Sequence, residues 1–272
     1  MKRLLQLLLL VALMFGFTAC ENESDDNNSG GDLTVNAETI SAKWLITEAS
    51  SEYKSIEFNE SGNYILQMED GMKSTEDLIV LFGTYIILDD NIIQLSDFGT
   101  ITINSLDNNS ISITISPAGG SEVTIEADKA DDIIGSSSSR TDLLCRSWEM
   151  VAIDGEPVTG TEFELTVIFS KAGTYFVEYA NPVYGDEGGL AQWQWKDSDE
   201  EMFCYSWDGA PTCTGENEVT ITELTSVKLV IIEYLYDETF EYELAPTGST
   251  KSAHVSKAIN LNKKLRSSFL NK

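Results

Sequence analysis

The 272-residue chain has a single histidine, His254, and it lies in the C-terminal tail. That scarcity removes most hydrolytic chemistry. No Ser-His-Asp or Cys-His constellation can be assembled within a folded domain, and no histidine-based zinc site is available. A glycosidase mechanism needs two carboxylates and no histidine, but among 45 Asp and Glu no pair stands out. A nucleophile elbow, a phosphate-binding glycine loop and a dinucleotide fingerprint are all missing. The expectation is a protein that is not an enzyme and holds no cofactor or metal. Positive charge is scarce too, with 17 Lys and Arg and a net charge of −28. This argues against nucleic acid, because phosphate neutralisation supplies most non-specific affinity there. The acidity reads as solubility, with most carboxylates on the solvent faces of strands and turns. Strand-helix-strand alternation is also absent, which leaves an antiparallel, all-β chain.

What is present is a repeat. FNESGNY at residues 58 to 64 returns as FSKAGTY at 169 to 175, aligning Phe58, Gly62 and Tyr64 with Phe169, Gly173 and Tyr175. Trp44 precedes the first turn and Trp148 the second, each after a short polar segment (NAETIS, RTDLLC). Downstream, ITINSLDNNSISI from Ile101 and VTITELTSVKLVI from Val219 align without a gap. Three anchors in one order establish two copies of one scaffold. The Trp-to-Phe interval is 14 residues in the first copy and 21 in the second, so the loops have diverged. Between anchors, apolar residues alternate with period two, the pattern of half-buried antiparallel strands, at about eight strands per copy. The Ser-rich stretch 135–142 has no apolar face to bury and reads as a flexible linker. It separates a first domain at 33–134 from a second at 143–248.

Location is written in MKRLLQLLLLVALMFGFTAC. Lys2 and Arg3 precede an apolar run from Leu4 to Phe17 that is too short to span a bilayer and reads as a secretory signal over residues 1–19. Phe17-Thr18-Ala19-Cys20 resembles the lipobox of bacterial lipoproteins, which implies acylation of Cys20, with palmitate among its chains, and a lipid anchor in the membrane. Residues 20–32 are acidic and polar, a tether that cannot offset its own ordering entropy. Acidic residues after the lipidated cysteine resemble the signal that sends lipoproteins of Bacteroidota-type bacteria to the outer face of the outer membrane. The implied location is therefore the outer membrane, exposed at the cell surface. Within the tether, Asp25, Asn27, Ser29 and Gly30 imitate a calcium loop, but its twelfth position is Asn36 and the bidentate Glu is missing.

Trp44 and Trp148 after a helical turn, a strand ending in F-x-x-x-G-x-Y and a meander of short strands resemble the lipocalin-like domains of Bacteroidota-type lipoproteins. That family commonly has Gly two residues before the Trp, where this chain has Ala42 and Arg146. The resemblance implies two tandem small up-and-down β-barrels used for binding, with no catalytic residues. Barrels of about 100 residues have interiors largely occupied by side chains, and Trp44 and Trp148 are expected to plug them.

The second copy holds four of the five Trp and seven of the ten Tyr, which directs attention to WQWKDSDEEMFCYSW, residues 193 to 207. With Asp197 to Glu201 as a hairpin loop, 195 is expected opposite 205 and 193 opposite 207. Trp193, Trp195, Tyr205 and Trp207 then lie on one side, either as structural cross-strand pairs or as a stacking platform for a flat ligand. Cys204 and Cys213 flank a reversal and can bridge in an oxidising compartment, although Cys145 leaves other pairings open. The tail from Lys251 has six Lys and Arg, and Val255, Ile259, Leu265 and Phe269 fit one helical face, so a short helix is expected within 249–272. Two functions follow for this chain, expected to be monomeric. One is a non-catalytic binding module for a small molecule, glycan or peptide, acting through the second barrel. The other is an accessory subunit of a surface complex with a protein partner.

Overall fold

The computed structural model describes residues 34–69, 78–89, 91–133, 135–179, 187–207, 209–215, 217–235, 238–247 and 258–261. The signal segment, Cys20, the tether and most of the basic tail lie outside the described residues.

Two closed eight-stranded antiparallel barrels follow one another. The first runs through β1 (Lys43–Ile46), β2 (Tyr53–Phe58), β3 (Asn63–Glu69), β4 (Leu78–Asp89), β5 (Ile92–Leu95), β6 (Gly99–Leu106), β7 (Ser110–Pro117) and β8 (Val123–Lys129). It closes where Trp44, Leu45 and Ile46 pair with Lys129, Asp128 and Ala127. The second uses β9 (Ser147–Ile153), β11 (Leu165–Phe169), β12 (Thr174–Tyr179), β13 (Glu187–Trp195), β14 (Met202–Ser206), β15 (Glu218–Leu224), β16 (Leu229–Leu235) and β17 (Glu238–Pro246). It closes by pairing β17 with β9, and a two-residue strand β10 (Glu156–Pro157) folds back on β9.

The repeated turn is the same object twice. Phe58 pairs with Tyr64 and Phe169 with Tyr175. Gly62 at φ 84° and Gly173 at φ 77° take the left-handed conformation that favours glycine. Their amides donate to Asn59 O and Ser170 O, both at 3.1 Å. Helix α1 (Ala37–Ile40) leads into the first barrel and α2 (Ser139–Leu144) into the second. Trp44 Nε1 donates to Ile40 O at 3.0 Å and Trp148 Nε1 to Leu144 O at 2.9 Å, both rings buried inside their barrels.

The stretch 135–142 runs into α2 and is hydrogen-bonded to the second barrel. Ser138 caps α2, its Oγ accepting from the Thr141 amide at 2.9 Å and donating to Glu200 Oε2. Thr141 Oγ1 donates to Gly135 O at 2.6 Å and accepts from Trp195 Nε1 at 2.8 Å, and Arg140 Nε donates to Glu200 O at 2.9 Å. Hydroxyls, the same groups that give such a segment no apolar face, here find partners on the second barrel.

The tail differs as well. Residues 258–261 form a strand, β18 (Ala258–Leu261), where a helix was expected; the rest of the tail is outside the described residues. The reason lies in the barrels. β4 pairs with β5 only from Tyr85 onward and β13 with β14 only from Gln192 onward, so the beginnings of both strands have an open edge. β18 covers both edges, antiparallel to Ile79–Leu81 and parallel to β13 at Glu187 and Gly188. Open backbone donors and acceptors recruit a strand more strongly than a weak amphipathic pattern recruits a helix.

The hairpin of residues 193–207 is two residues out of the expected register. Trp195 lies opposite Phe203 and Trp193 opposite Tyr205, because Lys196 N donates to Met202 O at 2.9 Å and closes the loop on 197–201. A shift of two preserves the face of every side chain.

Candidate functional site

The aromatic residues of the 193–207 hairpin point inward. Trp193, Trp195, Tyr205 and Trp207 are between 1% and 8% exposed and belong to one buried cluster with Phe169, Tyr175 and Phe203. Ring centroids of Phe169 and Trp193 lie 5.5 Å apart, those of Trp193 and Trp195 5.2 Å, and those of Tyr175 and Trp207 5.5 Å. Trp193 Nε1 donates to Ser170 O at 2.9 Å. An aromatic platform that stacks a ligand needs an open face, and these four rings spend their faces on one another. Cys204 and Cys213 are joined as a disulfide with Cα atoms 5.4 Å apart, fastening the 209–213 loop to β14.

The same interior holds a buried carboxylate. Glu233 accepts from Tyr205 OH at 2.6 Å and from Tyr242 OH at 3.1 Å. Burial, and then the charge of Glu233, push both phenols well above their ordinary range, so they remain protonated donors. Glu233 therefore has its hydrogen bonds inside the fold. In the first barrel the equivalent place belongs to Ile115: Ile101 lies opposite Ile115 as Val219 lies opposite Glu233.

A second buried carboxylate lies between the barrels. On β2, Ile56 and Phe58 face the interior, so period two turns Ser55 and Glu57 outward. Along the hairpins the same outward row carries Ile65, Val80 and Phe82, and on the second barrel Ile168, Phe176 and Leu190. These apolar residues form a cluster of their own, with the rings of Phe82 and Phe176 5.2 Å apart. The barrels thus meet outer face to outer face through equivalent strands. Glu57 sits at the margin of this contact, 3% exposed, and neither of its oxygens has a hydrogen-bond partner among the described residues; Ser55 Oγ has none either. Lys43 is directly across the ladder, yet its Nζ donates to Thr174 Oγ1 of the second barrel at 3.3 Å.

Beside Glu57 opens a cleft of about 280 Å³, lined from the first barrel by Lys43, Glu60 and Lys129 and from the second by Asp142, Cys145 and Lys171. Lys171 Nζ lies 2.9 Å from Asp142 Oδ1 and 3.8 Å from Glu60 Oε1. Burial works against this ammonium, but the hydrogen bond and charge of Asp142 with the charge of Glu60 outweigh it, and its pKa is raised. Cys145 is a free, half-buried thiol. Burial pushes its pKa well up, the Lys171 charge opposes, and Glu57, Asp142 and Asp132 add to the rise. The thiolate is the nucleophile in cysteine chemistry, and the raised pKa of Cys145 disfavours it. The cleft is thus lined by charged and hydrogen-bonding groups from both barrels.

Of the residues singled out in the sequence, the structure brings Trp193, Trp195, Tyr205 and Trp207 together as core and bonds Cys204 to Cys213. Sequence reasoning missed Glu57 and Glu233. Both were visible in the repeat, since each is a carboxylate where the other copy has isoleucine, Ile168 or Ile115. No protein-family model and no curated protein matches the chain, so a functional reading rests on this geometry.

Proposed function

We propose that the chain is a non-catalytic binding protein, anchored by lipid at Cys20 to the outer membrane and facing the exterior, which holds a small ligand in the cleft between its barrels. The anchor and its address rest on the lipobox-like Phe17–Cys20 and the acidic tether. One observation carries the binding role: a cleft of about 280 Å³ between the barrels, lined by charged side chains from both. The burial of Trp193, Trp195, Tyr205 and Trp207 turns this reading from the aromatic hairpin to the cleft.

Two experiments test this. Metabolic labelling with a fatty acid should mark the wild-type protein and leave Cys20→Ser unlabelled and in the soluble fraction; label in the variant overturns the anchor. For the cleft, the full-length protein extracted in detergent is screened by thermal shift against amino acids, amines and oligosaccharides, beside Ala172→Trp, which fills the cleft. The reading requires a compound whose saturable effect disappears in the filled variant. Ligands that bind both proteins equally, or stoichiometric recovery of a protein partner with no small-molecule response, overturn it in favour of an accessory subunit.

A further inference from the structure

We propose that the contact between the barrels is a joint that opens, and that β18 is the strap that holds it shut. Parting the barrels widens the cleft that both of them line, so the strap governs how open that cleft is. The joint stands on the contact itself, whether or not the cleft takes a ligand.

The closed contact works against itself. Its apolar part is small, with Ile65, Val80 and Phe82 set against Ile168, Phe176 and Leu190. At its margin both carboxylate oxygens of Glu57 and the Ser55 hydroxyl are buried without a hydrogen-bond partner. Glu57 lies under the second barrel, because its neighbours on either side of the ladder reach that barrel: Lys43 donates to Thr174, and Ile65 packs in the shared cluster. Closing the barrels therefore strips water from Glu57 and returns no hydrogen bond, a cost that parting them relieves. The polar links across the contact offset little of it. Lys43 Nζ is 3.3 Å from Thr174 Oγ1, and Lys171 Nζ is 3.8 Å from Glu60 Oε1 with both side chains solvated.

What holds the joint closed is the strand laid across it. Among the described residues β18 is the one strand paired with both barrels, through Leu81, Val80 and Ile79 of the first and Glu187 and Gly188 of the second. Val80 also belongs to the apolar cluster, so the strap crosses the contact at its edge. Four residues add only a few backbone hydrogen bonds, each of modest net worth in water, which suits a closure that can be undone. The repeat shows that the orphaned carboxylate is no requirement of the scaffold, since Ile168 fills the place of Glu57 in the second copy.

The test is double electron–electron resonance on the full-length protein in detergent, with spin labels at Asn109→Cys and Val227→Cys in a Cys145→Ala background. These two exposed turn positions are equivalent in the two copies, and the strands they join take no part in the contact. Labelled protein is diluted with unlabelled, so that only distances within one chain are read. Asn260→Pro removes a backbone donor at the residue that pairs with both barrels. It should raise the ratio of long to short distances by at least ~5-fold. Asn260→Ala keeps that donor and should match the parent. Added to Asn260→Pro, Glu57→Ile should lower the ratio again by at least ~5-fold, and Ser55→Ala should move it the same way. Circular dichroism confirms that both barrels stay folded, and Ser55→Ala decides the matter if Glu57→Ile does not fold. One distance shared by the parent and Asn260→Pro overturns the proposal, as does opening by Asn260→Ala to the same extent. A long-distance population that neither Glu57→Ile nor Ser55→Ala reduces overturns it too, since the buried groups would then not be what drives the barrels apart.

Discussion

Glu57 and Ile168 occupy the same place in two copies of one fold. Each precedes the Phe of the repeated turn, and each lies across its hairpin from the residue that follows the Tyr, Ile65 and Phe176 respectively. Both side chains face the contact between the barrels, where Ile168 is packed among apolar neighbours and Glu57 has no hydrogen-bond partner. A buried polar group without a partner costs about 1–3 kcal/mol. Glu57→Ile should therefore stabilise the ligand-free protein by about that amount, seen as a higher urea midpoint with unchanged slope. A variant less stable than wild type would show that Glu57 is held by an interaction this geometry does not contain.

Stability should fail at alkaline pH in a way tied to buried tyrosines. Burial, and secondarily the charge of Glu52, raise Tyr53 from 10.0 to about 12. Burial also raises Tyr85 to about 12, with Glu60 adding to the rise and a Ser41 hydrogen bond opposing it. Tyr175, Tyr205 and Tyr242 in the second barrel are raised further in the same direction. Each group keeps its proton in the folded state while the unfolded chain loses it near pH 10.0, so the folded state binds more protons and stability falls as pH rises. The stabilisation is whole below pH 10.0 and is lost for Tyr53 and Tyr85 as pH climbs toward about 12. Tyrosinate absorbance followed with circular dichroism should show these phenols ionising together with unfolding. Ionisation of all tyrosines near pH 10.0 in a folded protein would contradict their placement.

Much of this architecture was legible in the sequence because its signals are local. The F-x-x-x-G-x-Y turn depends on a glycine at positive φ, and Trp44 and Trp148 each follow a helical turn whose last carbonyl they reach. What escaped depends on faces meeting across long distances. The runs Tyr64-Ile65-Leu66 and Tyr175-Phe176-Val177 are apolar on both faces, a sign of burial on both sides, but nothing local says that the outer face of one barrel covers the other. For the same reason Glu57 is indistinguishable in sequence from a solvated strand carboxylate until its row of neighbours is seen to be buried. In the tail, Ile259 fitted a helical stripe, whereas the open edges of β4 and β13, which decide its conformation, are set more than sixty residues earlier in the chain.

The paired indoles make a quantitative test of the duplicated scaffold. Trp44→Phe and Trp148→Phe each keep an aromatic ring and leave one buried carbonyl, Ile40 O or Leu144 O, without this donor. Trp44→Phe should cost about 1–3 kcal/mol and Trp148→Phe less, because Leu144 O still accepts from Arg146 N at 2.8 Å; because the sites lie in separate cores the double variant should approach the sum within about 0.5 kcal/mol. Chemical denaturation monitored by circular dichroism checks both statements. A large excess over additivity would mean that loss of one indole perturbs the other core through the contact between the barrels.

The last expectation concerns the strand that joins the barrels at their open edges. Ala258, Ile259 and Asn260 pair with Leu81, Val80 and Ile79, while Asn260 and Leu261 pair with Glu187 and Gly188, so four residues supply backbone partners to both barrels. Truncation after Thr247 removes those partners without touching either ring of eight strands. The beginnings of β4 and β13 then present unpaired backbone groups, which exchange with water or recruit another strand. Hydrogen exchange should quicken at 79–81 and 187–188 and remain slow at Ile65 and Val167, inside the hairpins. The truncated protein should also self-associate with rising concentration in sedimentation velocity, as exposed edges do. Exchange at 79–81 that is equally slow with and without the tail would show that β18 does not lie on these edges in solution, and the apolar positions of the tail would then need a different seat.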